Sequence, residues 1–265
     1  MLKWLPANVS TYGGQIDRLF SIIEWITGIT FVVVIVLLLL FIFKYRDLGG
    51  RRATYTHGNT FLEVIWTIVP AIILIVLFML SQSLWWSIKG SVPATDFQVQ
   101  VTAKQFNWTF TYPGPDGVFG KTDVSLVDEQ ANPLGIDRSD PAAKDDVTTI
   151  NQLHLPVDRP VLVQLSSKDV IHSFALQEMR VKQDAIPGTM TPVWFVPTVT
   201  TDEMRQKTGN PEFGYEISCA QLCGLGHYRM KGFVTIHSQE DFQKWMDERV
   251  AEVKASESEE DSVWK

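Results

Sequence analysis

Four side chains able to bind a metal fall within one short stretch, SCAQLCGLGHYRM at 218–230: Cys219, Cys223, His227 and Met230. The chain of 265 residues has no other cysteine. A thiolate is a soft donor, imidazole is borderline and a thioether is soft and weak, a set that suits copper. Several chemistries remain open. In an oxidising compartment the two cysteines could close a disulfide. One cysteine with two histidines and a weak axial methionine would make a single-copper electron-transfer site. Two thiolates with a further histidine could hold two bridged copper ions. Zinc with two cysteines and two histidines is the fourth option, but it leaves Met230 without a purpose.

A second imidazole must come from elsewhere. Of the five histidines, His57 falls in a loop expected on the other side of a membrane, and His154 and His237 read as surface or edge residues of strands. His172, in SSKDVIHSFALQ, begins a strand after a polar turn, where folding can bring it against the cysteine loop.

The elements that must position this loop divide into two materials. Residues 25–43 and 64–88 are uncharged and apolar, each long enough as a helix to cross about 30 Å of hydrocarbon. Helices are expected at about 22–45 and 61–88. Pro70 is tolerated in a membrane helix as a kink. The loop between them holds Lys44, Arg46, Arg51 and Arg52 against Asp47, which keeps it on the cytoplasmic side and both termini outside. Trp25, Trp66, Trp85 and Trp86 lie near the ends of the runs, where indoles anchor.

Beyond residue 89, short alternating runs broken by Pro and Gly predict an all-β sandwich or barrel. Strands are expected at 97–103, 106–112, 160–167, 193–199, 213–218 and 232–237. Residues 113–147 read as a long surface excursion. Ser238 starts an amphipathic helix to about 254, followed by an acidic tail expected to be disordered. The domains are then 1–90, an N-terminal segment with the helical hairpin; 91–240, the β domain; and 241–265, the C-terminal helix and tail.

Residues 1–88 carry a net charge of +2 and the remainder −9. Such an acidic face repels nucleic acid, so no nucleic-acid partner is expected, and it would steer a basic protein. Asp116, Asp123, Asp128 and Glu129 are the candidate docking carboxylates. No Cys-x-x-Cys-His occurs, so no covalent haem attachment is expected.

Three segments carry a resemblance to subunit II of the haem-copper cytochrome c oxidases: LEVIWTIVPAIILI, SSKDVIHSFAL followed by KQDAIPG, and the pattern Cys-x₃-Cys-x₃-His-x₂-Met. The resemblance runs over nearly the whole length and implies a transmembrane hairpin, a cupredoxin-like Greek-key barrel and a C-terminal helix. It implies a binuclear copper A centre bridged by Cys219 and Cys223. His227 and the carbonyl of Gln221 would serve one ion, His172 and Met230 the other. It also implies a proton-pumping complex in the bacterial cytoplasmic membrane with the copper domain outside. The implied partners are a haem-bearing subunit I, further oxidase subunits, the lipid bilayer and a cytochrome c type donor. Oxygen chemistry would belong to subunit I.

Two departures stand out. Where the family usually has Gln-Trp-x-Trp, this chain has Gln105-Phe106-Asn107-Trp108, so Phe106 or Trp108 serves electron entry or the docking geometry differs. The family places a Glu between the two cysteines that helps bind magnesium; Gln221 lacks that charge, which a hard dication prefers. Glu63, in LEVIW, matches the family carboxylate at a proton-path entrance. A quinol-oxidase subunit, a free-standing copper-assembly protein and a nitrous oxide reductase type module are the competing classes. The first would lack the copper ligands, the last the membrane hairpin, and copurification with a haem subunit separates the second.

Overall fold

Alternation of small polar and branched apolar residues builds the β domain strand by strand. In β1 (Gln98–Lys104) Val99, Val101 and Ala103 are fully buried while their neighbours face outward. In β5 (Val161–Ser167) Val161, Val163 and Leu165 do the same. The computed structural model describes residues 5–263 except 51, 53, 54, 96, 130 and 131, and side chains as far as 255. Arg51 of the basic loop and the last two residues of the tail therefore lie outside the described residues.

Among the described residues, ten strands form two five-stranded sheets. With β2 (Asn107–Tyr112), β3 (Val147–Ile150) and β8 (Thr191–Phe195), the first sheet runs β3-β2-β1-β5-β8. The second, of β4 (Gln152–Pro156), β6 (His172–Leu176), β7 (Val181–Ala185), β9 (Tyr215–Cys219) and β10 (Lys231–His237), runs β4-β10-β9-β6-β7. β1 with β5 and β10 with β4 are parallel, and the other pairs antiparallel. Between the sheets lie Trp108, Phe110, Tyr112, Phe174, Phe195 and Tyr215, all fully buried.

Two apolar helices, α1 (Gly13–Lys44) and α2 (Thr60–Lys89), form a separate unit and are long and apolar enough to cross a membrane. α1 starts at Gly13 rather than near 22, because its polar first turns continue the helix beyond the uncharged run. Asn59 caps α2 by accepting from the Leu62 N–H, 3.2 Å.

Residues 6–13 pack on the β domain, not with the hairpin. Val9 N–H donates to the Glu178 carbonyl (2.8 Å), and Ser10 Oγ to the Met179 carbonyl (2.8 Å). A short helix absent from the sequence reading, α3 (Thr201–Thr208), follows β8. It is set by a capping box of Thr200 and Glu203 and closed by left-handed Gly209. The last helix, α4 (Gln239–Val263), continues past 254 through the acidic tail expected to be disordered. Its residues there are Ala, Ser, Glu, Asp and Val, without Gly or Pro to stop a helix.

Candidate metal centre

The register of β6 against β9 assembles the site. Phe174 pairs with Cys219 and Ala175 with Ser218, and Ala220 N–H donates to the Ser173 carbonyl at 2.9 Å. His172, two residues before Phe174, is thereby set beside the cysteine loop. The loop is closed at its base by Lys231 opposite Ser218 and by the Cys219 N–H to the Met230 carbonyl, 3.2 Å.

The two thiols lie 3.8 Å apart and are not bonded to each other. A disulfide needs about 2.05 Å. His172 Nδ1 is 3.8 Å from Cys219 Sγ, and His227 Nδ1 is 3.6 Å from Cys223 Sγ. Met230 Sδ is 3.8 Å from Cys223 Sγ, and the Gln221 carbonyl oxygen 3.1 Å from Cys219 Sγ. The donor atoms of His172, Cys219 and Cys223 all fall within 4.8 Å of one another. All six residues proposed from the sequence thus meet, with His172, Cys219, Cys223 and Met230 buried and His227 half-buried.

Burial, with the Cys219 sulfur alongside, pushes the Cys223 thiol up to about 11. Thiols so disfavoured as free anions are stabilised as thiolates by a bound cation. Sulfurs at this separation can share an ion at the ordinary thiolate bond length of about 2.3 Å.

Two residues that the sequence reading did not single out orient the candidate ligands. Asp169 Oδ1 is 2.8 Å from His172 Nε2, which turns Nδ1 toward the sulfurs. A carboxylate on the far nitrogen of a metal-binding imidazole fixes tautomer and ring direction. The Asp169 carboxyl is half-buried, which works against its ionisation, yet bonds from Gln105 N–H, His172 and Val170 N–H outweigh that and hold its pKa low. Gln105, in the β1–β2 turn, gives its backbone N–H to Asp169 Oδ2 (2.7 Å) and its side-chain Nε2 to the Cys223 carbonyl (2.6 Å). One residue clamps both ligand segments. The only local signal was the Asp-x-x-His spacing of 169–172; the Gln105 clamp is a tertiary contact.

The aromatic candidates separate. Phe106 is half-buried, its ring pressed on the cysteine loop: a Cβ on Gly226 would come within 2.4 Å of it. Trp108 is fully buried, 6.2 Å from the His172 ring and 5.7 Å from Phe174, centroid to centroid. Gln221 exposes its amide side chain and offers no charge to a dication. Glu63 lies in the first turn of α2, within the hairpin unit. His154 and His237 are not simple surface residues. They are half-buried, hydrogen-bonded to each other at 2.8 Å, and His154 stacks on Trp245 at 4.2 Å.

The chain is similar to known proteins. The family described as "Cytochrome C oxidase subunit II, periplasmic domain" matches residues 97–236, and its transmembrane domain matches residues 6–84. An "Alternative cytochrome c oxidase subunit 2" of Bradyrhizobium diazoefficiens is 34% identical, over 93% of this chain and 83% of its own. A "Cytochrome c oxidase subunit 2" of Thermostichus vulcanus is 30% identical over 91% of this chain and 77% of its own. The solved periplasmic domain of subunit II of cytochrome oxidase of Bradyrhizobium japonicum is 27% identical, with a TM-score of 0.42 over 62% of this chain and 99% of that one.

The chain belongs to the cytochrome c oxidase subunit II family. Membership makes it a two-pass membrane protein with a cupredoxin-like periplasmic domain, a subunit of the haem-copper oxidoreductase complex.

Proposed function

We propose that this chain is the electron-entry subunit, in which Cys219, Cys223, His172, His227, Met230 and the Gln221 carbonyl would hold a binuclear copper A centre. When bound, the copper pair would supply one-electron redox chemistry between a cytochrome c type donor and haem in subunit I. One observation carries this reading: two free thiols 3.8 Å apart with imidazole nitrogens at 3.6 and 3.8 Å and a thioether at 3.8 Å.

The chain's own contribution is rigidity and exclusion of water. His172 is fully buried in β6 and held by Asp169; Met230 is buried where the loop rejoins β10. Ligands that cannot move keep reorganisation small, which speeds electron transfer at small driving force. Phe106, on the loop's outer side, is the proposed entry ring, and Trp108 packs the core beneath His172. Glu63 is the proposed mouth of a proton path into subunit I. For magnesium the donor set does not fit, since Gln221 brings no carboxylate.

Metal analysis and electron paramagnetic resonance on the purified oxidase test the centre. Two coppers per chain and a signal from one electron shared between them are expected, and Cys223→Ser should abolish that signal. A metal-free chain with Cys219 and Cys223 joined in the active complex would refute the reading.

A further inference from the structure

Two helix faces of the hairpin carry the same polarity gradient. On α1, Gln15, Arg18, Leu19 and Ile22 follow one another at spacings of three, one and three, which is one face of a helix. On α2, Leu80, Ser83, Leu84 and Ser87 repeat that spacing. Together these residues line one groove of about 480 Å³ between the two helices. α1 runs inward from the outer end of the hairpin and α2 runs back to it. Gln15, Arg18 and Ser87 therefore stand at the outer end of the groove, and Ile22 and Leu80 at its deep end.

That outer end falls at the level of lipid headgroups. The uncharged run of α2, residues 64–88, is about 37 Å long at ~1.5 Å per residue, more than the roughly 30 Å of a hydrocarbon core. Its last turn leaves the hydrocarbon, and exposed Trp85 and Trp86 mark the boundary. Arg18 precedes the uncharged run of α1 by about two turns. Among the described residues, the side chains of Gln15, Arg18 and Ser83 have no hydrogen-bond or ion-pair partner. The nearest carboxylates on α1, Asp17 and Glu24, project about 100° and 120° round the helix from Arg18. Side chains tilt toward a helix N-terminus, so Arg18 reaches outward while its stem covers apolar surface. A guanidinium so placed matches a phosphate, which it can hold through two parallel N–H bonds.

We propose that this groove binds an anionic phospholipid of the outer leaflet, its phosphate on Arg18, Gln15 and Ser83 and an acyl chain against Leu19, Ile22, Leu80 and Leu84. Charge decides the headgroup: an anionic one neutralises the lone cation, whereas a choline headgroup brings a cation of its own beside the guanidinium. The gradient decides the class. A free anion would leave the apolar floor to water, and an apolar helix laid in the groove would bury Arg18 unpaired. The site lies wholly within the hairpin unit and is independent of the copper centre.

Photo-crosslinking in the assembled oxidase tests this. The complex is reconstituted in phosphatidylcholine vesicles with a trace of phosphatidylglycerol that carries a photoreactive group on its acyl chain. Adducts on this chain should concentrate on the peptides holding Ile22, Leu80 and Leu84, and a phosphatidylcholine probe labelled in the same way should give about fivefold fewer. Arg18→Gln should cut the phosphatidylglycerol yield about fivefold, the effect of one cation at the membrane surface, and Arg18→Lys should keep most of it. Retention of the haem-bearing subunit shows that each variant is assembled. If Arg18→Gln does not assemble, Leu80→Trp decides, because it fills the groove without touching the charge and should remove the adducts. Equal yields from the two probes, or an unchanged yield in Arg18→Gln or in Leu80→Trp, would overturn the site. No adducts on either helix would make the groove a seam with another subunit and overturn it too. Competition by inorganic phosphate would replace the lipid by a free anion.

Discussion

In the proposed copper site, His172 shows how much would depend on a residue that never touches the metal. Its ring is fully enclosed, and of its two nitrogens Nε2 is engaged by Asp169 while Nδ1 is left facing Cys219. Asp169→Asn removes the charge from that contact while keeping the size. Copper affinity is expected to fall about 10–100-fold, since loss of such outer partners has effects of that order. Competition titration with a copper chelator measures it, and an unchanged affinity would show that packing alone orients the imidazole. The proposed cysteine, methionine and His227 ligands could be picked out by spacing because they share one loop. Asp169 was half-legible, three residues before its histidine. Gln105 was not, because its link to Cys223 spans the barrel and no local pattern encodes it.

Among the elements, α4 has the most specific attachment. Phe242, Met246 and Val250, spaced by four, turn one buried stripe to the barrel, and Phe242 meets Phe97 edge-on at 5.1 Å. The His154–His237 pair backs this contact, and Trp245 stacks over it. Burial first, then His237 and Arg249, hold the His154 pKa down to about 4. His237 is lowered as well, by burial, with Asp241 and Asp202 acting in the opposite sense. The fold therefore holds neutral imidazoles, while the unfolded segment takes up protons near pH 6.5. Protons bind the unfolded state more readily, so the stabilisation is complete above about pH 6.5 and is lost as pH falls toward about 4. Hydrogen exchange of the α4 amides at pH 7 and pH 4.5 should show protection falling at the lower value, and His154→Phe should flatten the difference. Equal protection at both would remove the pair from the attachment. The strands with clear alternation were anticipated to within a few residues. β3, of four residues, and β7, whose buried ends enclose exposed Lys182 and Asp184, were not, and β4 was expected only as a strand-like stretch around His154. α3 was missed too: its eight residues are almost all polar, and only its capping box and Gly209 announce it.

Across the whole molecule, two units divide the work. The hairpin brings Glu63 to the first turn of α2, next to the basic loop that the charge rule keeps on the cytoplasmic side. Glu63→Gln in the assembled complex should slow proton-coupled turnover without altering the copper signal, as oxygen-consumption rates set beside the resonance spectrum would reveal. Full turnover in that variant would remove Glu63 from the proton path. At this scale the net charge of the outer domain, read from composition alone, suggested an acidic docking face. The folded chain pairs one of those carboxylates, Glu129, with Lys104 and Lys168, a neutralisation that composition does not reveal.

What the sequence alone determined is whatever depends on neighbours along the chain: the soft-donor chemistry of 218–230, the two apolar spans and the alternating strands. Tertiary structure alone decided what depends on pairing across sheets: that His172 comes to the sulfurs, that Asp169 and Gln105 hold the candidate ligand segments, and that Glu129 lies between two lysines. The reason is register. A loop's spacing is set by covalent geometry, whereas the approach of β6 to β9 and of the β1–β2 turn to the cysteine loop is set by how two sheets bury their apolar faces together.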